Sequence, residues 1–188
     1  MLAACGGGGG ELGSSAGPAA AAIEAPVGES STADQSSAST EQSSGATELA
    51  AALTELFATS TTLDDSAAFD GAALADGDSV VWFWAPWCTI CRGEAPEVAD
   101  VAERYASQVN LIGVPGRGEL GEMLDFVDDT GTGSFTHVPD LNGDIWSAFG
   151  VYGQPAFAFI DDSGSVEVFI GGMGGDALAE RIDELIAT

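Results

Sequence analysis

The stretch FWAPWCTICRGEAP, Phe83–Pro96, carries two of the chain's three cysteines, two residues apart, where an apolar run meets a helical pattern. Just upstream, SVVWFWA begins at Ser79. It is continuously apolar, β-branched and aromatic, as expected of a strand buried on both faces. Downstream, Ile90, Val98, Val101, Ala102 and Tyr105 recur as the apolar stripe of a helix, with Pro96 expected to kink or shorten its first turns. Cys88 therefore falls at a strand-to-helix junction and Cys91 one turn inside the helix.

Two thiols at that spacing can hold a metal, staple a fold or exchange disulfides. Tetrahedral zinc needs four ligands, and beyond Cys88 and Cys91 the chain offers only Cys5 and one histidine, His137. A bridge across so short a loop constrains the unfolded chain less than a long-range staple would. Exchange has positive support. A cysteine in a helix's first turn faces unpaired backbone N–H groups and the positive end of the dipole, which favour its thiolate. Cys88 is then the attacking thiol and Cys91 the resolving one.

Around this centre the sequence reads as alternating strands and helices. VNLIGV is a second buried strand. GELGEMLDFVDDTG is an amphipathic helix through Leu120, Met123, Leu124 and Val127, stopped by Gly131. FTHVPDL reads as a short strand and GDIWSAFGV as a short helix. PAFAFIDDSGSVEVFIGG is a hairpin, with strands Ala156–Ile160 and Val166–Ile170 about an Asp-Asp-Ser-Gly turn. GDALAERIDELIAT closes the chain as a helix. Ahead of the first strand, LDDSAAFDGAAL suggests an irregular strand pair. The predicted class is an α/β sandwich with a mixed sheet, parallel crossovers first and an antiparallel hairpin last. The domain is expected over 63–188. A short helix from Thr47 to Phe57 and a linker precede it, and 1–47 is a Gly/Ala/Ser-rich tract too poor in apolar residues to fold.

WAPWCTICRGEAP, with the order of strands and helices over 63–188, resembles the thioredoxin-fold proteins of the exported TlpA, ResA and DsbE branch; VWFWAPWC and QPAFAFIDDSG are similar to secreted DsbE-like proteins. The resemblance implies a thioredoxin-like three-layer sandwich whose Cys88 and Cys91 cycle between dithiol and disulfide. It implies that Pro155 is cis and faces them, and that the backbone at Gln154 pairs with a substrate's extended chain. In the ResA-like branch a glutamate three residues after the second cysteine tunes thiol protonation, and Glu94 stands there. Cytosolic thioredoxins carry a buried aspartate where this chain has Trp82, so proton handling falls to Glu94 or to water. Trp87 is a candidate for an apolar rim that docks substrate, Trp84 reads as core, and Arg92 as a surface ion-pairing residue.

Two alternatives share the fold. A thiol peroxidase needs Pro-x-x-x-Thr-x-x-Cys, but Val81 and Ala85 stand where Pro and Thr would precede Cys88. A copper-carrying assembly protein would need His137 as third ligand beside Cys88 and Cys91. The formal charge of −26, with 30 acidic residues, four arginines and no lysine, argues against nucleic acid and anionic lipid headgroups as electrostatic partners. No apolar run reaches the length of a membrane span. Leu2-Ala3-Ala4-Cys5 resembles a bacterial lipobox, followed by glycines and a Ser/Ala/Gly tract that look like a tether. Cys5 is therefore a lipidation candidate, and membrane association is expected only through such an anchor, with secretion as second choice. The expectation is an extracytoplasmic, monomeric thiol–disulfide oxidoreductase with no cofactor beyond its own disulfide. It would act on exported protein thiols or disulfides and be served by a membrane or extracellular redox partner.

Overall fold

The structure is a computed structural model and describes residues 35–188. Cys5 and the tether up to residue 34 lie outside the described residues. The elements run α1 (Gln35–Leu56), a 3-10 turn (Gly71–Ala75), β1 (Ser79–Trp84), α2 (Thr89–Tyr105), β2 (Asn110–Pro115), α3 (Leu120–Thr130), α4 (Asp144–Ala148), β3 (Ala156–Ile160), β4 (Val166–Ile170) and α5 (Gly175–Leu185). The four strands form one mixed sheet in the order β2-β1-β3-β4. β1 pairs parallel with β2 and antiparallel with β3, and β3 pairs antiparallel with β4, closing the hairpin read from the sequence.

Every residue of β1 and β3 is buried, because these central strands are covered on both faces. Val80, Trp82, Trp84, Phe157 and Phe159 meet Cys91, Ala95, Val98 and Val101 of α2, Met123 and Phe126 of α3, and Leu178 and Ile182 of α5. On the opposite face Val81, Phe83, Ile112, Ala158 and Ile160 meet Leu53 of α1, Phe57, and Ile145 and Trp146 of α4. The result is a three-layer sandwich. α2 runs unbroken through Pro96, whose missing N–H costs only the bond to the Arg92 carbonyl.

Several local expectations shift. α1 begins at Gln35 rather than Thr47, and Leu53 and Phe57 are core residues, so the folded unit starts ahead of residue 63. The strand pair expected in LDDSAAFDGAAL shrinks to one antiparallel bridge, Thr61 to Ala68, because the Asp70 carboxylate accepts from the Ala72 N–H and starts the 3-10 turn. FTHVPDL forms single parallel bridges, His137 to Gly113 of β2 and Asp140 to Gly116 just past it, instead of a strand. In α3 the buried residues are Met123, Phe126 and Thr130. Leu120 and Leu124 face outward, since Phe126 takes the place against Trp84 with ring centroids 4.1 Å apart. Gly131 ends α3 in the left-handed conformation, φ +71.

Candidate active site

β1 ends at Trp84, and the chain turns through Ala85-Pro86-Trp87 to Cys88, the N-cap of α2. The Cys88 sulfur accepts from the Cys91 N–H at 3.1 Å, and the two cysteines are joined in a disulfide with Cα atoms 5.3 Å apart. No carboxylate occupies the first turn of α2, so nothing there opposes negative charge on the Cys88 sulfur once the bond opens. Cys91 is fully buried, and Cys88 retains slight exposure, as suits a leaving and an attacking sulfur respectively.

Glu94 lies one turn beyond Cys91 on the same buried face of α2 and is 8% exposed. Its Oε1 accepts from the Trp82 indole N–H at 2.9 Å, and its Oε2 from the Met173 backbone N–H at 2.9 Å. Burial raises its carboxyl to about 7, against the pull of the Met173 and Trp82 hydrogen bonds toward the charged form; Glu97 nearby adds to the rise. Trp82, at the position where cytosolic thioredoxins carry an aspartate, is thus a direct hydrogen-bond partner of the Glu94 carboxyl. No local pattern signals that contact, since strand residue 82 and helix residue 94 meet only in three dimensions.

The opposite wall is the loop before β3. The Gln154–Pro155 bond is cis, and the Pro155 carbonyl accepts from the Gly171 N–H at 2.8 Å. Gly172 marks where the walls meet. A Cβ there would lie 3.1 Å from Ile90 Cγ2, 3.1 Å from Glu94 Oε2 and 3.7 Å from Pro155 Cγ. Ile90, between the cysteines, is thus brought beside Pro155 and Glu94. Trp87 is 60% exposed, and its indole N–H donates to the Arg117 carbonyl at 2.7 Å. The Arg117 guanidinium in turn donates to Gln154 Oε1 at 2.9 Å. Arg117 is not among the residues that the sequence reading singles out; its one hint is a lone cation between two glycines in a strongly acidic chain.

His137 does not join the cysteines. It is buried, with Nε2 bonded to the Thr132 carbonyl at 2.9 Å and Nδ1 receiving the Trp84 indole N–H at 3.3 Å. Nε2 is then the protonated nitrogen, and burial lowers the ring to about 4. Both ring nitrogens are occupied, and among the described residues no three His, Cys, Asp or Glu side chains are grouped to hold a metal. The copper-carrier alternative lacks its third ligand. Arg92 pairs with Asp129 at 3.1 Å on the surface and covers the Phe126 ring, as its position after Cys91 suggested.

Comparison with known proteins agrees with this geometry. The soluble secreted antigen MPT53 of Mycobacterium tuberculosis is 40% identical over 107 residues, which is 57% of this chain and 60% of that protein. The thiol:disulfide interchange protein DsbE of Yersinia pestis is 28% identical over 99 residues, 52% of this chain and 51% of its own length. The chain thus spans about half to three fifths of these two relatives. Among solved structures, MTB dsbF is 40% identical with a TM-score of 0.65, covering 69% of this chain and 96% of that one. A secreted Mycobacterium tuberculosis disulfide oxidoreductase homologous to E. coli DsbE is 37% identical with a TM-score of 0.64, covering 69% and 97%. The fold is thioredoxin-like. A model of the AhpC/TSA family matches residues 57–169, more than half of the sequence, and the chain belongs to that family.

Proposed function

We propose that the protein is an extracytoplasmic thiol–disulfide oxidoreductase acting on exported proteins. The observation that carries this is the Cys88–Cys91 disulfide at the start of α2, walled by cis-Pro155 on one side and backed by a buried carboxyl on the other. In the oxidising direction a substrate thiolate attacks the Cys88 sulfur. The disulfide breaks, and its electron pair leaves on Cys91, which takes up a proton. A second substrate thiolate then attacks the substrate sulfur of the mixed disulfide and releases Cys88 as thiolate. Two electrons pass from the substrate to the cysteine pair. The reducing direction is the same path reversed: Cys88 attacks a substrate disulfide, and Cys91 resolves the mixed species by attacking Cys88. Glu94, one turn beyond Cys91 and titrating near 7, is the residue to which this reading assigns the proton that Cys91 gains or loses.

Family membership leaves the chemistry to the residues. Val81 and Ala85 do not supply the peroxidase pattern ahead of Cys88. The direction of electron flow follows from the reduction potential, which equilibrium with glutathione measures: about −120 mV marks an oxidant of exported thiols, about −270 mV a reductant such as apocytochromes require. The location rests on the lipobox-like Cys5 and on the secreted character of MPT53. One experiment tests reaction and location together. The Cys91→Ser chain, expressed in a bacterium that exports it, should retain substrates as mixed disulfides on Cys88, recovered with the membranes, and from the medium once Cys5→Ser is added. Absence of any Cys88-linked protein from both fractions defeats the reading.

A further inference from the structure

Arg117, in the loop between β2 and α3, has φ +57, in the left-handed region that residues other than glycine seldom adopt. That turn sends its backbone and its side chain to different walls of the site. The carbonyl receives the Trp87 indole N–H, beside Cys88. The guanidinium crosses to the other wall, where Nη1 donates to Gln154 Oε1 and Nη2 to the Tyr152 carbonyl, each at 2.9 Å. Its carbon lies 4.8 Å from the centre of the Trp146 ring, so the fork is also held flat from one side. Among the described residues it forms no ion pair, unlike Arg92 and Arg181. A cation in so acidic a chain is here committed to neutral acceptors, both on the segment leading into Pro155.

We infer that Arg117 is a positioning residue that fixes the substrate groove, tying the Trp87 wall to the Gln154–Pro155 wall before any substrate arrives. The inference rests on the thiol-exchange reading above and deepens it. Trp87 at 60% and Tyr152 at 78% exposure have little packing of their own to hold them. Without the guanidinium the Tyr152–Gln154 backbone must be ordered by the substrate, at the expense of binding. A disulfide small enough to touch only the sulfurs has no need of either wall. An extended polypeptide lying across Gln154 and Pro155 needs both. Arg117 therefore selects for extended protein chains over small disulfides without touching a reacting atom.

Arg117→Gly is the informative substitution, because glycine keeps the left-handed turn and the carbonyl that holds Trp87 while removing the guanidinium. The reduced full-length chain is mixed with a short synthetic peptide containing an internal disulfide, and separately with hydroxyethyl disulfide. The half-saturating peptide concentration is expected to rise about tenfold, with the limiting rate within about twofold of the native chain and a much smaller change for hydroxyethyl disulfide. Arg117→Lys recovers part of the loss, since an ammonium reaches one acceptor but cannot fork to two. Gln154→Ala combined with Arg117→Gly costs less than the product of the two single effects, because one bond cannot be broken twice. Three outcomes overturn the inference: unchanged peptide saturation in Arg117→Gly, equal losses for peptide and hydroxyethyl disulfide, or fully multiplicative effects with Gln154→Ala. A native chain that exchanges with neither probe overturns the thiol-exchange reading itself, and the two failures are told apart by that control.

Discussion

Glu94 is pulled both ways by its surroundings: burial in the α2–β1 interface favours the neutral acid, while two N–H donors favour the carboxylate. Burial prevails, and the carboxyl titrates at about 7 instead of 4.5. Between these pH values the folded chain keeps a proton that the unfolded chain releases. Stability from this group is therefore undiminished below 4.5, falls as pH rises through the window and stays reduced above about 7. His137 slopes the other way. Its ring is lowered from 6.5 to about 4, so the unfolded chain takes up a proton that the folded chain refuses, and stability rises with pH across that interval. The difference between the native chain and Glu94→Gln isolates the first effect. Urea unfolding should show the variant gaining on the native chain by about 2 kcal/mol from pH 4.5 to 7, the shift being discounted for residual screening. A difference independent of pH would show that Glu94 is ionised throughout. Cys88 and Cys91 are legible from their own spacing at a strand-to-helix junction, whereas Glu94 and Pro155 are legible only through the resemblance to the exported thioredoxin-fold branch. Arg117 and the indole of Trp82 are not, because their partners lie 37 and 12 residues away.

At the scale of elements, the hairpin was read to the residue, since both strands and their turn are written in one local stretch. The α3 stripe was misread, because periodicity alone cannot rank Phe126 against Leu124 as the partner of Trp84. The domain start was also read too late. Composition falls below the folding threshold well before α1 ends, yet the last turns of α1 carry Leu53 into the core, and Phe57 follows, 1% exposed and 5.2 Å from the Phe69 ring. Phe57→Ala should cost about 3–5 kcal/mol, as for a core aromatic, measurable as a drop in the urea midpoint with unchanged slope. Loss of under about 0.5 kcal/mol would mean that this segment only rests on the sheet. Gly113 in β2 carries a related constraint. A Cβ there would fall 2.1 Å from His137 Nδ1, so the strand edge closes onto the imidazole only because the side chain is absent.

Over the whole molecule, the charge of −26 sets the solution behaviour. Four arginines cannot neutralise 30 carboxylates, and the described ion pairs involve only Arg92 and Arg181, both on the surface. Self-repulsion should therefore weaken the fold at low ionic strength, and the thermal midpoint should climb as sodium chloride is raised from about 10 mM to 0.5 M. A midpoint that is flat or falls would show the carboxylates to be too widely spaced to repel. The fold class itself was legible at this scale because strand and helix signals alternate in a fixed order, and a mixed sheet follows from parallel crossovers ending in a hairpin.

The pair of donors on Glu94 has one more consequence. A carboxylate offers about four lone-pair positions, and Trp82 and Met173 take one on each oxygen. A proton can land on a remaining position while both bonds persist. Charge beside the cysteine pair can thus change without moving the strand beneath it or the Gly172–Met173 corner above it, so the surroundings of the disulfide keep one shape in either state.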